Sequence, residues 1–268
     1  MSAAIPVLMY HALCADEAFV ANKNTVAISV KAFRKQMAWL HSNGYKAINL
    51  QEANSILKGN IADRGKYCIL TFDDGYYSWY KYANDILAGY GFKATMFLST
   101  AYVGELYDIP DFVLDDNDRP LTWQEVNQMS RNGWSVEAHG HYHHRWDTMS
   151  IDDLENDIQT CKELIEQNTG KRTTSVAYPY GSYNTQTLQL VKQMGFEAAC
   201  TVHDGLLTSP AGNLRLPRIE INSSDTIASF QNKVCTGYAS GRRAFSSKVR
   251  DFAFANPRVK DFIKALVK

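Results

Sequence analysis

"KYCILTFDDGYYSWYKYANDILAGYGFKATMFLS", residues 66–99, is the stretch on which the fold turns. "KYCILTF" has the length and the apolar, aromatic character of a buried strand, and "KATMFLS" (93–99) repeats that character. Between them "YSWYKYANDILAGYGF" (77–92) continues as a helix that stops near Gly89 or Gly91. Strand, helix and strand with no hairpin turn between them is a βα repeat, whose strands pair in parallel.

The pattern extends both ways. "IPVLMYH" (5–11) reads as a first strand. Ser29 caps a helix in "SVKAFRKQMAWLHSNGY" (29–45), with Phe33, Met37 and Leu40 at helical spacing and a stop at Gly44. "KAINL" (46–50), "WSVEAH" (134–139), "TSVAYPYG" (174–181) and "FEAACTV" (196–202) read as further strands. The helices "TWQEVNQMSRNG" (122–133), "SIDDLENDIQTCKELIEQNTG" (150–170) and "NTQTLQLVKQMG" (184–195) separate them. About six such units predict one α/β domain, a barrel or a doubly wound sheet, over residues 1–240. A basic segment, 241–268, follows.

The chain has 268 residues, 45% hydrophobic and 21% charged, with a formal net charge of zero. This supports a sizeable core and gives no reason to expect nucleic acid as a partner. Five cysteines at scattered positions form no C-x-x-C pair. They read as buried free thiols, neither a disulfide framework nor a zinc ribbon, and favour a reducing compartment. The N-terminus lacks a basic n-region and a long apolar stretch, so it does not read as a signal peptide, although a trimmed secreted chain would look the same.

Parallel α/β folds bind ligands at the C-terminal ends of their strands. His11, the Asp73–Asp74 pair, His139 and the turn Tyr178–Gly181 each follow a predicted strand, so all fall on one rim. Asp-Asp-Gly alone is good turn chemistry. Adjacent carboxylates at a strand end, however, repel unless solvent, a proton or a cation relieves them. "HGHYHH" (139–144) holds four of the seven histidines, and two imidazoles with one carboxylate leave an open position on a catalytic metal ion. His139 and His143, at i and i+4, would face one ion if the segment turned helically. One aspartate would then ligate and its neighbour handle protons.

"TFDDG" (71–75), the two histidines of "EAHGHYHHRWDTMS" and "AYPYG" (177–181) resemble, in order and separation, the polysaccharide deacetylases of the NodB-homology, carbohydrate esterase family 4 type. The resemblance covers roughly residues 5–220. It implies a distorted (β/α) barrel of about seven parallel strands and a divalent metal ion, usually Zn2+, that hydrolyses the N-acetyl group of an amino sugar. Matched position by position, it implies Asp73 as general base and Asp74, His139 and His143 as metal ligands. His144 competes with His143, because one branch spaces its histidines one residue wider. Tyr180 matches the residue whose main-chain N–H supports the oxyanion, on a substrate-binding turn fixed by Pro179 and Gly181.

The departures from the family pattern are specific. Ala177 stands where an Arg is usual, and Arg218 in "RLPRIEI" (215–221) is the candidate replacement, placed to pair with Asp73 and hold it ionised. Gly140 stands where Ser or Thr usually follows the first metal histidine, so one hydrogen bond behind the ligands is expected to be missing. "VLMYHAL" (7–13) resembles the N-terminal strand of the branch whose barrel is circularly permuted, which makes His11 the candidate general acid, with His203 as the weaker alternative.

Residues 241–268 hold eight Lys or Arg against two Asp, interleaved with Val249, Phe252, Val259, Phe262, Ile263 and Leu266. Such a segment packs its apolar side on the barrel or attaches to anionic lipid. The sequence thus predicts a metal-dependent N-deacetylase (or N-deformylase) acting on a cell-surface glycan or a lipid-linked precursor, placed in the cytoplasm or at the inner membrane face. An O-acetyl esterase and a non-catalytic carbohydrate-binding module on the same fold are the alternatives. Tyr76, Trp79, Trp146 and Tyr183 could line a sugar groove or belong to the core.

Overall fold

A computed structural model describes residues 4–15, 26–59, 65–104, 118–209 and 214–238. The basic 241–268 segment lies outside the described residues, and with it the expected lipid contact. No helix among the described residues is long and apolar enough to cross a membrane.

The expected strands form β1 (Ile5–Tyr10), β4 (Tyr45–Ala47), β5 (Lys66–Asp74), β6 (Ala94–Leu98), β7 (Trp134–Ala138), β8 (Ser175–Ala177) and β9 (Ala198–Cys200). Short pieces that no periodicity announces are β2 (Leu13–Cys14), β3 (Ile28–Ser29) and β10 (Leu206–Leu207), and β11 (Ile219–Glu220) falls within "RLPRIEI". Seven strands run parallel in the order β11, β1, β5, β6, β7, β8, β9. The two edges of this curled sheet meet the same segment: Leu216 bridges to Cys200 on β9, and Ile219 pairs with Leu8 on β1. That segment bends the sheet into the distorted barrel and carries Arg218 between its two contacts.

The helices are α1 (Val30–Ser42), α2 (Leu50–Leu57), α3 (Asn84–Tyr90), α4 (Trp123–Arg131), α5 (Ile151–Thr169), α6 (Thr185–Gln193) and α7 (Ile227–Thr236). Ser29, Thr122, Ser150 and Asn184 cap their helices through the side chain, and Thr122 with Glu125 forms a full capping box. The helix expected from Tyr77 begins there and passes through one π turn, Trp79–Ala83, before continuing as α3. The sequence reading missed α2, although Asn49 and Glu52 make a capping box there, and α7.

Strand alternation divides the core in two. Leu8, Tyr10, Leu70, Phe72 and Met96 face the surrounding helices, where Tyr10, Phe33, Phe72, Trp79 and Trp134 form a continuous aromatic cluster. Each such ring pair adds about 0.5–1.5 kcal/mol beyond its buried area. Val7, Ile69, Phe97, Ala177 and Cys200 fill the barrel interior, and α2 packs Leu50 and Ala53 against this second cluster. Four cysteines are buried, whereas Cys235 is exposed, against the expectation of five buried thiols.

One weak seam has a polar repair. β7 and β8 share a single pairing, Ala138 with Val176. Beside it the buried Glu137 carboxylate accepts the N–H groups of Thr174 (2.9 Å) and Ser175 (2.7 Å), donors that would otherwise be stranded.

Candidate metal centre

Alternation along β5 sends Ile69, Thr71 and Asp73 toward the barrel interior and would send Asp74 outward. A left-handed Asp74 (φ 92°), followed by Gly75 (φ 116°), breaks the alternation, and both carboxylates line one cavity of about 240 Å³. His11, His139, His143, Tyr178 and Tyr180 also line it. Asp74, His143 and Tyr180 are the only non-glycine residues with positive φ among the described residues. Backbone strain of about 1–3 kcal/mol per residue is thus concentrated at this rim.

Asp73 is clamped. The Arg218 guanidinium, fully buried, donates to Asp73 Oδ1 and Oδ2 at 2.7 Å each, and further to the Thr201 carbonyl (2.9 Å) and Thr71 Oγ1 (3.2 Å). Burial alone would raise the Asp73 pKa; Arg218, then His139, outweigh it and hold the carboxyl below the usual range. The replacement Arg expected from the sequence therefore lies on Asp73, reached from the other edge of the barrel.

Asp74 is different. Its Oδ1 is buried and receives no hydrogen bond. His139 Nε2 and His143 Nε2 lie 3.4 and 3.3 Å from it. His139 Nδ1 meets the Ala177 carbonyl at 2.8 Å, which places the proton on Nδ1 and turns the Nε2 lone pair toward Asp74. The three ligand-type atoms lie within 4.8 Å of one another. Burial, with His139 beside it, pushes the His143 imidazole down to about 4, so it is neutral at neutral pH. Burial would also lower His139, but Asp73 and Asp74 raise it instead. The negative potential that draws a proton there would draw a cation equally. An acceptor with no donor, two directed imidazole nitrogens and this potential fit a divalent ion.

The helical turn expected across 139–143 is absent. These residues are irregular, and His143 reaches the site through its own left-handed backbone (φ 56°), which brings the two rings to 4.8 Å. His144 turns away and stacks on Tyr142 at 5.6 Å, leaving His143 as the histidine brought to Asp74. His141 Nδ1 lies 2.9 Å from Thr100 Oγ1.

His11 lines the same cavity, its carbonyl accepting Trp79 Nε1 (2.8 Å), and its Nδ1 is buried without a hydrogen-bond partner. His203 is not among the lining residues; its ring lies 6.0 Å from Tyr183. Pro179 to Gly181 form one 3₁₀ turn, in which Tyr180 is 45% exposed and its ring lies 4.5 Å from His143. Of the four candidate groove aromatics only Tyr76 lines the cavity; Trp79, Trp146 and Tyr183 are buried in the core. Met9, Val26 and Val202, apolar residues with no motif to mark them, complete the lining. A larger polar groove, about 710 Å³, opens near the start of β7 and contains none of these groups.

Comparison with known proteins bears on the family and the fold. The family described as polysaccharide deacetylase matches residues 60–199. YxkH of Bacillus subtilis is 28% identical over 82% of this chain and 72% of its own length. The poly-β-1,6-N-acetyl-D-glucosamine N-deacetylase of Staphylococcus epidermidis is 26% identical over 74% of this chain and 68% of its own. Among solved structures, the Streptococcus pyogenes deacetylase PplD, in complex with acetate, has a TM-score of 0.75 and 26% identity, covering 89% of this chain and 100% of that one. IcaB from Ammonifex degensii shares the fold at a TM-score of 0.72 and 22% identity, covering 88% and 98%.

Proposed function

Since this chain belongs to the polysaccharide deacetylase family, we propose that it is a divalent-metal-dependent hydrolase that removes N-acetyl groups from an amino-sugar glycan. The names of its relatives support a polymer of N-acetylglucosamine as the substrate class. The observation that carries the metal dependence is the orphaned, buried Asp74 Oδ1 facing two imidazole nitrogens.

Asp74, His139 and His143 would hold the ion, most simply Zn2+ given one carboxylate and two imidazoles. When bound, it supplies a Lewis acid that polarises the amide carbonyl and acidifies the attacking water. Asp73 takes a proton from that water as its oxygen attacks the carbonyl carbon. Both Asp73 oxygens are engaged by Arg218, but each keeps a second lone pair for this proton. Arg218 keeps Asp73 ionised, at some cost in basicity. The Tyr180 main-chain N–H is assigned to the developing oxyanion, a donor of a kind worth about 3–4 kcal/mol in the transition state. His11, which lines the same cavity, gives a proton to the amine as the C–N bond breaks, leaving acetate and the free amino sugar.

The first test is metal content per chain, by elemental analysis, for wild type and His139→Ala, with turnover of Asp73→Asn on N-acetylated and O-acetylated oligosaccharides. About one zinc-like ion per chain is expected, lost in His139→Ala. Asp73→Asn should keep the ion and lose acetate release from the amide. Folded wild type that takes up no divalent ion would sink the proposal. Normal turnover by Asp73→Asn would overturn the role given to Asp73, and faster release from O-acetyl sugars would make the protein an esterase.

A further inference from the structure

The loop that presents both histidines is tethered from two sides. From the segment after β6, Ser99 Oγ donates to the His139 carbonyl (3.2 Å), Thr100 N–H to the Gly140 carbonyl (3.3 Å) and Ala101 N–H to the His141 carbonyl (2.9 Å). The Tyr102 hydroxyl donates to the Tyr142 carbonyl (3.1 Å). From α5 one residue serves. Asp157, midway along α5 and 3% exposed, accepts the Tyr142 N–H at Oδ1 (3.0 Å) and the Trp146 indole N–H at Oδ2 (3.1 Å).

Two features make this more than packing. First, Asp157 forms no salt bridge among the described residues, and a buried carboxylate held only by neutral donors is expensive to keep. Only a carboxylate can accept both bonds, since an amide would turn its own NH2 toward one of the donors. Second, Gly140 (φ 77°) is shaped around it. A Cβ there would lie 2.8 Å from Asp157 Oδ2 and 3.3 Å from Trp146 Nε1. The residue next to His139 is thus reduced to glycine where Asp157 and Trp146 enter.

We propose that Asp157 is the positioning residue of this centre. It fixes Tyr142 and Trp146 on either side of His143, and so the left-handed backbone at His143 that sets its Nε2 3.3 Å from Asp74 Oδ1. It touches neither substrate nor ion. The hydrogen bond expected to be missing because of Gly140 is replaced by these two. The inference rests on the reading of Asp74, His139 and His143 as the ligands.

The test uses the full chain as wild type, Asp157→Asn and Trp146→Phe. Zinc affinity is measured by competition with a chromophoric chelator, the visible spectrum after loading with cobalt(II), and thermal unfolding of the metal-free proteins. Asp157→Asn should weaken zinc binding about 10–100-fold, the range for outer partners of metal ligands, and change the cobalt bands. Trp146→Phe, which removes one donor and keeps the carboxylate, should show a smaller loss in the same direction. A variant whose metal-free form melts lower, but which binds zinc as wild type does with an unaltered cobalt spectrum, would reduce Asp157 to a packing role and overturn the proposal. Should Asp157→Asn not fold, Trp146→Phe alone decides on the same two readouts. Failure of wild type itself to bind zinc or cobalt would instead overturn the ligand reading on which the proposal rests.

Discussion

Replacing Arg218 by Met would leave the Asp73 carboxylate buried with its two strongest donors gone. Asp73 is 2% exposed and Arg218 fully buried, so water cannot take the place of the lost bonds without disrupting the barrel interior. Removing one partner of such a pair costs about 3–5 kcal/mol, and the Thr201 carbonyl and Thr71 hydroxyl lose a donor as well. The cost depends on pH in a definite direction. In the wild type the Asp73 pKa is lowered, so its contribution is present above the unfolded value of about 3.9 and is lost as pH falls through the folded one. In Arg218→Met burial acts unopposed by the guanidinium, so the Asp73 carboxyl moves upward. The variant's deficit should therefore be largest near pH 8 and shrink toward pH 5, as protonation of Asp73 relieves the buried charge. Urea unfolding across that range measures the deficit. The acid limb of kcat/KM, followed on an N-acetylated oligosaccharide, should move upward. A variant within about 1 kcal/mol of wild type at pH 8, with an unmoved acid limb, would falsify the clamp as the source of Asp73's ionisation.

Three further substitutions probe other parts of the structure. Burial pushes Glu137 up to about 7, despite the N–H groups of Ser175 and Thr174, so its ionisation costs stability as pH rises from about 4.3 through the folded value. Glu137→Gln can keep both N–H bonds through one oxygen, and should be more stable than wild type at pH 8 by on the order of 3 kcal/mol, falling to about 1 kcal/mol at pH 5 and vanishing below about pH 4; equal stabilities at pH 8 and pH 4 would refute this. Gly181 has φ 64°, and a Cβ there collides with Val202 Cγ2, so Gly181→Ala should lower stability by about 1–3 kcal/mol and reduce kcat through the displaced Tyr180 turn. Adding Val202→Ala should recover part of the melting temperature, and no recovery would show that the backbone alone is responsible. His11→Ala should retain the metal and lower kcat about 10²–10⁴-fold; a kcat near wild type would move the proton-donor role elsewhere.

Much of this is legible in the sequence alone. Periodicity, the Ser29 cap and the glycine stops are local signals, and local signals mark elements. They failed where an element's reason is distant. Nothing in "QEANSIL" advertises α2's place on the interior core, and β10 and β11 are two residues each, too short for any period. The i, i+4 spacing of His139 and His143 suggested a helix, but the loop's backbone obeys the hydrogen bonds from residues 99–102 and from Asp157, not its own propensity.

The sequence by itself determined which side chains could do chemistry and on which rim they would stand, because strand ends and motif spacing are written along the chain. Only the tertiary structure decided that His143 and not His144 meets Asp74, that Arg218 crosses from one barrel edge to grip Asp73, and that Asp157 on a helix holds the histidine loop. Those choices rest on φ angles and on contacts between residues up to 145 positions apart, set by how the sheet closes, and no window of sequence contains them.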